Sequence, residues 1–396
     1  MDSIRNPFFP GAGTQPPVLE GREEILEKAR ITLGRIHRGK PAKSFMLIGL
    51  RGVGKTVLLN RIKAIADENN YKSIMIEVHE NKTLPELLVP GLRQILLSLD
   101  KVESITAQVK RGLKILKSFA SGVNVSINDM NIEFISSETG VADSGDLEID
   151  LPELFLAVAQ AASSKKTAVA IVIDELQYLN EIELSAIIMA VHKVNQHQLP
   201  LVLVGAGLPQ LVGLCGRSKS YAERLFDFPE VGPLNVEDAR NALQDPVRAE
   251  GVEFEDKALN RIVHLTQGYP YFIQEWGYYA WEVAQSSPIR NEVMDEATRQ
   301  ALKNLDQSFF RVRFDRLTKR EKKYLRAMAE LGPKPQRSGD VAAIMGVNVK
   351  SIAPIRSSLI KKGMIYSPQY GDTAFTVPLF DQYMKRTMPD FKSACH

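Results

Sequence analysis

The stretch Gly49-Leu50-Arg51-Gly52-Val53-Gly54-Lys55-Thr56 satisfies the spacing G-x-x-x-x-G-K-[ST], directly after an apolar run, Phe45 to Gly49, and directly before an amphipathic one, Lys55 to Asn69. No other feature of the chain restricts its fold as tightly. A strand must enter the loop and a helix must leave it. Glycines let the backbone wrap an anion, and the helix N-terminus aims N–H groups and the positive end of its dipole at that anion. Lys55 would offset phosphate charge, and the Thr56 hydroxyl is placed to ligate Mg²⁺. The loop and first helical turn, Gly49 through Val57, are expected to cradle the phosphates of a nucleotide.

A second apolar run, Ala168 to Ile173, ends in adjacent carboxylates, Asp174 and Glu175. A buried strand that delivers acids at its C-terminal end fits a parallel α/β sheet, whose ligands sit at that end. Asp174 is expected to hold the Mg²⁺ water shell and Glu175 to polarise an attacking water as general base. Taken alone, the pair reads as a helix-capping acid beside a surface acid; the phosphate loop upstream gives it meaning.

Between and beyond these motifs the periodicity alternates. Helix Glu23 onward, strand Phe45 to Gly49, helix Lys55 to Asn69, strand Ser73 to Val78 and helix Leu84 to Leu99 come first. Helix Pro152 to Ala162, strand Ala168 to Ile173, helix Ile182 to Gln196 and strand Leu201 to Val204 follow. That order predicts an α/β class, a parallel sheet with helices on both faces. About 101–150 reads as an insertion. It opens with a basic helix carrying Lys110, Arg111, Lys114 and Lys117, whose lysines and arginine are expected on a solvated face. Val123, Val125 and Ile127, then Ile132 and Phe134, alternate with polar residues, so a hairpin turning at Asn128-Asp129 is expected. After Leu234 the signals are helical: Asn235 can cap one helix, another spans Asp256 to Leu265, and Pro270 opens a third through Trp281. The last eighty residues change rhythm again. Helix Lys319 to Glu330, a helix Gly339 to Met345 capped by Ser338, a helix Ser351 to Lys362 and two short strands about Tyr370 follow the order of a winged helix-turn-helix.

Composition removes several classes of function. Two cysteines, Cys215 and Cys395, neither with zinc-site spacing, cannot build a disulfide framework, which fits a reducing cytoplasm. The N-terminus lacks the basic start and apolar run of a secretory signal. The uncharged stretch Val194 to Gly216 carries two prolines and several amides that lipid cannot satisfy, so no membrane partner is expected. Charge is unevenly placed. Residues 316–396 hold 15 Lys+Arg against 6 Asp+Glu, a balance of +9, and the rest carries −6 within a total of +3. A basic C-terminal module points to a polyanion such as double-stranded DNA.

These motifs together resemble the AAA+ superfamily, and in particular the branch that holds origin-recognition initiators and the related signal-transduction (STAND) ATPases. The resemblance covers nearly the whole chain. It rests on the lead-in Val18-Leu19-Glu20-Gly21-Arg22, the Walker A loop, the Walker B pair Asp174-Glu175, the helical lid and the C-terminal winged helix. It implies ATP or ADP with Mg²⁺, and hydrolysis of ATP to ADP and phosphate. It divides the chain into a lead-in 1–22, a nucleotide-binding core 23–233, a lid 234–315 and a winged helix 316–396. In such proteins the lead-in lies against adenine, which would give that contact to Val18, Leu19 and Arg22. Strand Leu201 to Val204 with Gly205-Ala206-Gly207 falls at the sensor-1 position, where the family often carries a polar side chain and this chain does not. Arg224 is the candidate arginine finger, with Arg217 in reserve, and such a finger requires a homo-oligomer. Gly268-Tyr269-Pro270 resembles the G-x-P motif of STAND ATPases, which would bring Pro270 to the nucleotide.

In the winged helix, Lys350, Ser351, Arg356, Ser357, Lys361 and Lys362 are expected to face DNA, with Tyr370 at the wing tip. Four to six neutralised phosphates would make log K fall against log salt with a slope of about −4 to −5. The expected function is an AAA+ switch that couples nucleotide state to DNA binding. The alternative is a STAND-type signalling or assembly ATPase whose winged helix docks protein.

Overall fold

A computed structural model describes residues 1–11, 13–100, 106–125, 140–369 and 371–391. Most of the expected hairpin, the wing-tip Tyr370 and Cys395 lie outside the described residues. The chain divides into two compact bodies, one of Glu24–Ile48 and Lys55–Glu230, the other of Met1–Glu23, Gly49–Gly54 and Val231–His396.

The first body is a parallel sheet with helices. Its strands β1 (Ser44–Ile48), β2 (Tyr71–Glu77), β3 (Ala168–Asp174), β4 (Leu201–Gly207) and β5 (Phe226–Asp227) lie in the order β2-β3-β4-β1-β5. Every residue of β1, β3 and β4 is buried. That is why these strands read as unbroken apolar runs: both faces of a parallel sheet are covered. β2, at one edge, is only partly buried. The edge strand β5 is two residues long, too short for any periodicity to show. Register places Met46 of β1 and Ile173 of β3 on either side of Gly205 in β4, so the C-terminal ends of the three strands come together.

Helices α1 (Glu23–His37), α2 (Lys55–Glu68), α3 (Leu84–Ser98), α4 (Ala107–Gly122), α5 (Leu147–Ser164), α6 (Glu181–Gln196), α7 (Gln210–Ser218) and α8 (Ala222–Leu225) complete this body. Within the segment expected to be an insertion, helix α4 packs into the core of this body. Val109, Leu113, Leu116 and Phe119 of α4 are buried in one cluster with Leu92 and Leu96 of α3 and Leu154 and Val158 of α5. Lys110 and Arg111 lie on the exposed side of α4. The expected hairpin fails where it can be tested: Val123 is the C-cap of α4, and the Val125 N–H donates to Ala120 O (2.7 Å). The alternation there ends a helix instead of starting a strand. Asn180 and Glu183 cap α6 reciprocally, and Glu183 also accepts from the Leu84 N–H at 2.8 Å, which ties the start of α6 to the start of α3.

The second body has its own core. Helices α9 (Val236–Ala249), α10 (Asp256–Thr266), α11 (Pro270–Val283) and α12 (Met294–Leu305) form a helical region, and the Asn235 side chain caps α9 as expected. The N-terminal residues pack onto it. Phe8 is buried against α11, where a Cβ on Gly277 would come within 2.7 Å of its ring, and the Trp281 indole donates to Asp2 O (2.9 Å). Asp2 and Phe8 thus tie the start of the expected lead-in to this helical region.

After α13 (Arg311–Asp315) come α14 (Lys319–Leu331), α15 (Ser338–Met345), α16 (Val349–Lys361), α17 (Phe380–Thr387) and a three-stranded antiparallel sheet, β6 (Gln336–Arg337), β8 (Asp372–Phe375) and β7 (Ile365–Tyr366) in that order. Two helix starts differ from expectation. Ser338 is the first residue of α15 and its hydroxyl donates to Gly371 O, so it does not cap. The start of α16 lies earlier than Ser351, at Val349, because Asn348 is the N-cap and accepts from the Lys350 N–H. No described helix is long and apolar enough to cross a membrane.

Candidate functional site

The phosphate loop leaves β1 at Gly49, whose burial leaves no room for a side chain: a Cβ there would stand 2.2 Å from Val231 O. Gly52 and Gly54 adopt φ of 82° and 92°, the left-handed region that glycine enters without strain. Partners within its own body hold the loop's backbone. The Arg51 N–H donates to Thr376 O (3.0 Å), the Tyr271 N–H donates to Gly52 O (3.1 Å), and the Arg22 guanidinium donates to Val53 O (3.2 Å) and Gly232 O (2.6 Å). Because a trans peptide points its C=O and N–H in opposite directions, fixing the Gly52 and Val53 carbonyls also fixes the N–H groups of Val53 and Gly54. Those are the groups an anion-binding loop offers to phosphate.

Each of these braces bears on an expectation. Arg22, expected against adenine, is buried and grips the loop through its Nη2; burial lowers its pKa while Asp238 and Glu23 raise it. Val18 and Leu19 are half-buried. Pro270 is the first residue of α11, so its fixed φ starts the helix whose next N–H, that of Tyr271, reaches the loop. Leu50 and Arg51 are half-buried.

In the sheet body, Lys55 is buried at the first turn of α2, followed by Thr56 and Val57. The Thr56 hydroxyl donates to Asp174 Oδ2 (2.5 Å), across the 118 residues that separate them. Asp174 is 3 % exposed. Burial raises its pKa, the Thr56 bond lowers it, Glu175 raises it, and Lys55 lowers it, with a net rise. A hydroxyl and a carboxylate meeting at the C-terminal edge of the sheet form the oxygen-only donor set that suits Mg²⁺, so the residues fit the ion the motif implies.

Glu175 takes φ 56° and ψ 37°, a left-handed conformation unusual for a residue with a side chain. It begins a single 3₁₀ turn, Leu176–Tyr178, and its carboxylate Oε2 accepts from the Gln177 side-chain amide. Gln177 Oε1 in turn accepts from the Leu208 N–H at the end of β4 (3.0 Å). Sequence reasoning missed Gln177. The signal was an amide two residues past the acids, which matters only once the turn folds it back.

Arg224 lies in the last turn of the short helix α8 just ahead of β5 and is exposed. It lines a pocket of about 260 Å³ with Lys40, Lys43, Asn195 and Gln198, at the N-terminal ends of β1 and β4. That is the opposite edge of the sheet from Asp174 and Glu175, so Arg224 cannot reach its own chain's acids. Arg217 is exposed in α7.

The expected DNA-facing residues separate into two kinds. Lys350, Ser351, Ser357 and Lys361 are exposed on α16, although the Ser351 hydroxyl donates to Asn348 O. Arg356 and Lys362 are occupied inside the fold. The Arg356 guanidinium donates to Thr373 Oγ1 (2.9 Å), Ser367 Oγ (2.8 Å) and Asp372 O (2.9 Å), which ties α16 to the small sheet. Lys362 forms an ion pair with the buried Glu321 at 2.7 Å.

Comparison with known proteins bears on the fold that carries these residues. A model described as the AAA ATPase domain matches residues 18–204, and a domain of unknown function matches residues 307–384. A search of curated proteins finds no match. Among solved structures, a Walker-type ATPase of Pyrococcus abyssi is similar at 17 % identity, covering 94 % of this chain and 97 % of that one, with a TM-score of 0.60. The Aeropyrum pernix Orc1 protein in complex with DNA is similar at 18 % identity over 94 % of each chain, TM-score 0.48. The Thermotoga maritima RuvB Holliday junction branch migration motor is similar at 16 % identity over 92 % and 95 %, TM-score 0.46. The phosphate loop, the parallel sheet and the matched domain model agree: residues 18–204 resemble an AAA ATPase domain, and the fold is that of a P-loop ATPase.

Proposed function

We propose that this protein is an ATP-hydrolysing switch whose C-terminal domain reads the nucleotide state and couples it to duplex DNA. The observation that carries this reading is the grip on the phosphate loop. Thr376, one residue past β8, accepts the Arg51 N–H, and Tyr271, in the first turn of α11, donates to Gly52 O. A loop that changes its backbone on taking up or losing a γ-phosphate must strain or release both bonds, and the two nucleotide states then differ in energy at the C-terminal domain.

In the hydrolytic step Lys55 offsets charge on the transferring phosphoryl group. Glu175 takes a proton from the water that attacks it, and the products are ADP and phosphate. Thr56 and Asp174 would hold Mg²⁺, which would supply positive charge to offset that of the phosphates. Arg224 is a finger for a second copy of the chain, since it stands at the far edge of its own sheet. Helices α14 to α16 with β6 to β8 read as a winged helix, and Lys350, Ser351, Ser357 and Lys361 on α16 are its exposed polar positions.

A second reading, a signalling or assembly switch whose winged helix docks protein, is favoured by one observation: Arg356 and Lys362 are spent on internal bonds. The test is fluorescence anisotropy of a labelled random duplex with ATP, ADP and no nucleotide, at two salt concentrations. Salt-dependent binding that changes with nucleotide supports the DNA switch. Equal affinity in all three states refutes the coupling, and no binding in any of them moves the output to protein.

A further inference from the structure

The end of β4 lacks a polar side chain where one would be expected to help place the attacking water, and the packing shows why. A Cβ on Gly205 would already be filled out to 2.3 Å from Leu176 Cδ1. One on Gly207 would stand 2.8 Å from Leu211 Cδ2 and 3.0 Å from Gln177 Oε1. The space beside β4 is therefore occupied by the turn that follows Glu175, and Gln177 is the polar group inside it.

Gln177 makes two bonds that only one orientation of its amide can satisfy. The Leu208 N–H must be met by an oxygen, at 3.0 Å, which leaves the NH₂ to donate to Glu175 Oε2. The amide is thus a fixed bridge from the backbone at the end of β4 to the carboxylate of Glu175. It holds a residue whose backbone is in the left-handed region, φ 56°, where side-chain-bearing residues are strained.

We propose that Gln177 is a positioning residue for ATP hydrolysis: it takes the part that β4 leaves empty and sets the Glu175 carboxylate toward the attacking water. This rests on the reading of Glu175 as general base. A base displaced by about 1 Å loses on the order of 10²-fold in rate, because proton transfer needs hydrogen-bond reach.

Two variants separate positioning from simple bracing of β4. Gln177→Ala removes both bonds. Gln177→Glu keeps an oxygen for the Leu208 N–H but replaces the donor facing Glu175 with a second carboxylate. Both variants are expected to lower kcat by about 10- to 100-fold. Affinity for a non-hydrolysable ATP analogue should stay within about threefold, as expected for an interaction that serves the chemical step. Amide hydrogen exchange at Leu208 should speed up in Gln177→Ala and stay at the wild-type rate in Gln177→Glu. A Gln177→Glu protein that turns over at the wild-type rate, beside a slowed Glu175→Gln, overturns this proposal alone. Glu175→Gln at full rate overturns the general-base reading beneath it.

Discussion

Adjacent lysines at the end of α16 have the same chemistry in the sequence and different jobs in the structure. Lys362 faces Glu321, which is 4 % exposed and accepts from Lys362 Nζ, Ser358 Oγ and the Thr318 N–H, each at 2.7 Å. Burial alone would push the Glu321 carboxyl up, yet the Lys362 ammonium and the other donors hold it at about 2, from 4.5. At about 1.36 kcal/mol per pH unit the set as a whole corresponds to roughly 3 kcal/mol. Lys362 is one of several donors and its side chain is 33 % exposed, so after solvent screening its share is about 1–2 kcal/mol. Lys362→Met, which keeps the apolar stem, should therefore lower the unfolding free energy of the C-terminal transition by that amount at pH 7, read as a lower urea midpoint at unchanged m. Because the folded pKa is depressed, this stability is fully present above pH 4.5 and is lost as the pH falls through about 2. The deficit of the variant should shrink between pH 4.5 and 2 and vanish below. Lys361→Met should leave the midpoint alone. If the proposed DNA binding holds, the pattern should reverse there: Lys361→Met should weaken binding and reduce the salt slope by about 0.9, while Lys362→Met should change affinity less than about twofold. With Arg356 and Lys362 engaged internally, the wild-type slope itself should be nearer −2 to −3 than −4 to −5. Unchanged stability at pH 7 together with weakened DNA binding in Lys362→Met would refute the assignment.

Other substitutions test the nucleotide site. Glu175→Gln should cut hydrolysis by about 10²-fold or more while keeping ATP bound, since it removes the proton acceptor and not a phosphate contact; a small change in kcat would favour a nucleotide-binding scaffold. Arg22→Met should weaken a labelled ADP by about 5- to 20-fold, because Val53 O loses a charge-assisted partner of about 1–2 kcal/mol. Wild-type ADP affinity there would mean that the loop holds its shape without Arg22. Arg224→Ala should leave single-chain ATP binding intact and remove only the part of the turnover that rises with protein concentration. A loss that is independent of concentration would rule out a finger acting on a second copy.

What the sequence reveals, and what it hides, follows from how far apart the partners lie. The loop and the strands β1, β3 and β4 are legible because their signals are local: glycines at fixed spacing, and apolar runs that burial on both faces demands. Asp174 is legible through its place at a strand end, although its bond to Thr56 spans 118 residues. The tasks of Arg356, Lys362 and Arg22 are hidden, since nothing near them in the chain names Thr373, Glu321 or Val53 O as partners. A basic residue on a helix looks the same whether it faces solvent or a buried acid. The misread alternation after Gly122 has a simpler cause: Val123 and Val125 close a helix by backbone bonds that any side chain permits.

Among the braces on the phosphate loop, Arg22 acts through a side chain. Two others, Tyr271 N–H to Gly52 O and Arg51 N–H to Thr376 O, join backbone to backbone, and what the sequence supplies is the shape that brings those atoms together. At Tyr271 the shape comes from Pro270, which starts α11, and from Gly268, whose φ of 73° turns the chain where a Cβ would strike Leu234 O at 2.3 Å. At Thr376 it comes from the buried threonine itself, whose hydroxyl donates to Gly363 O (2.6 Å) and whose N–H donates to Met364 O (3.1 Å). A link built from backbone groups tolerates change at positions 51 and 271 but depends on the turn residues around them. Such a link suits the proposed sensing of phosphate, because a rigid contact transmits a small displacement, whereas a flexible side chain absorbs it.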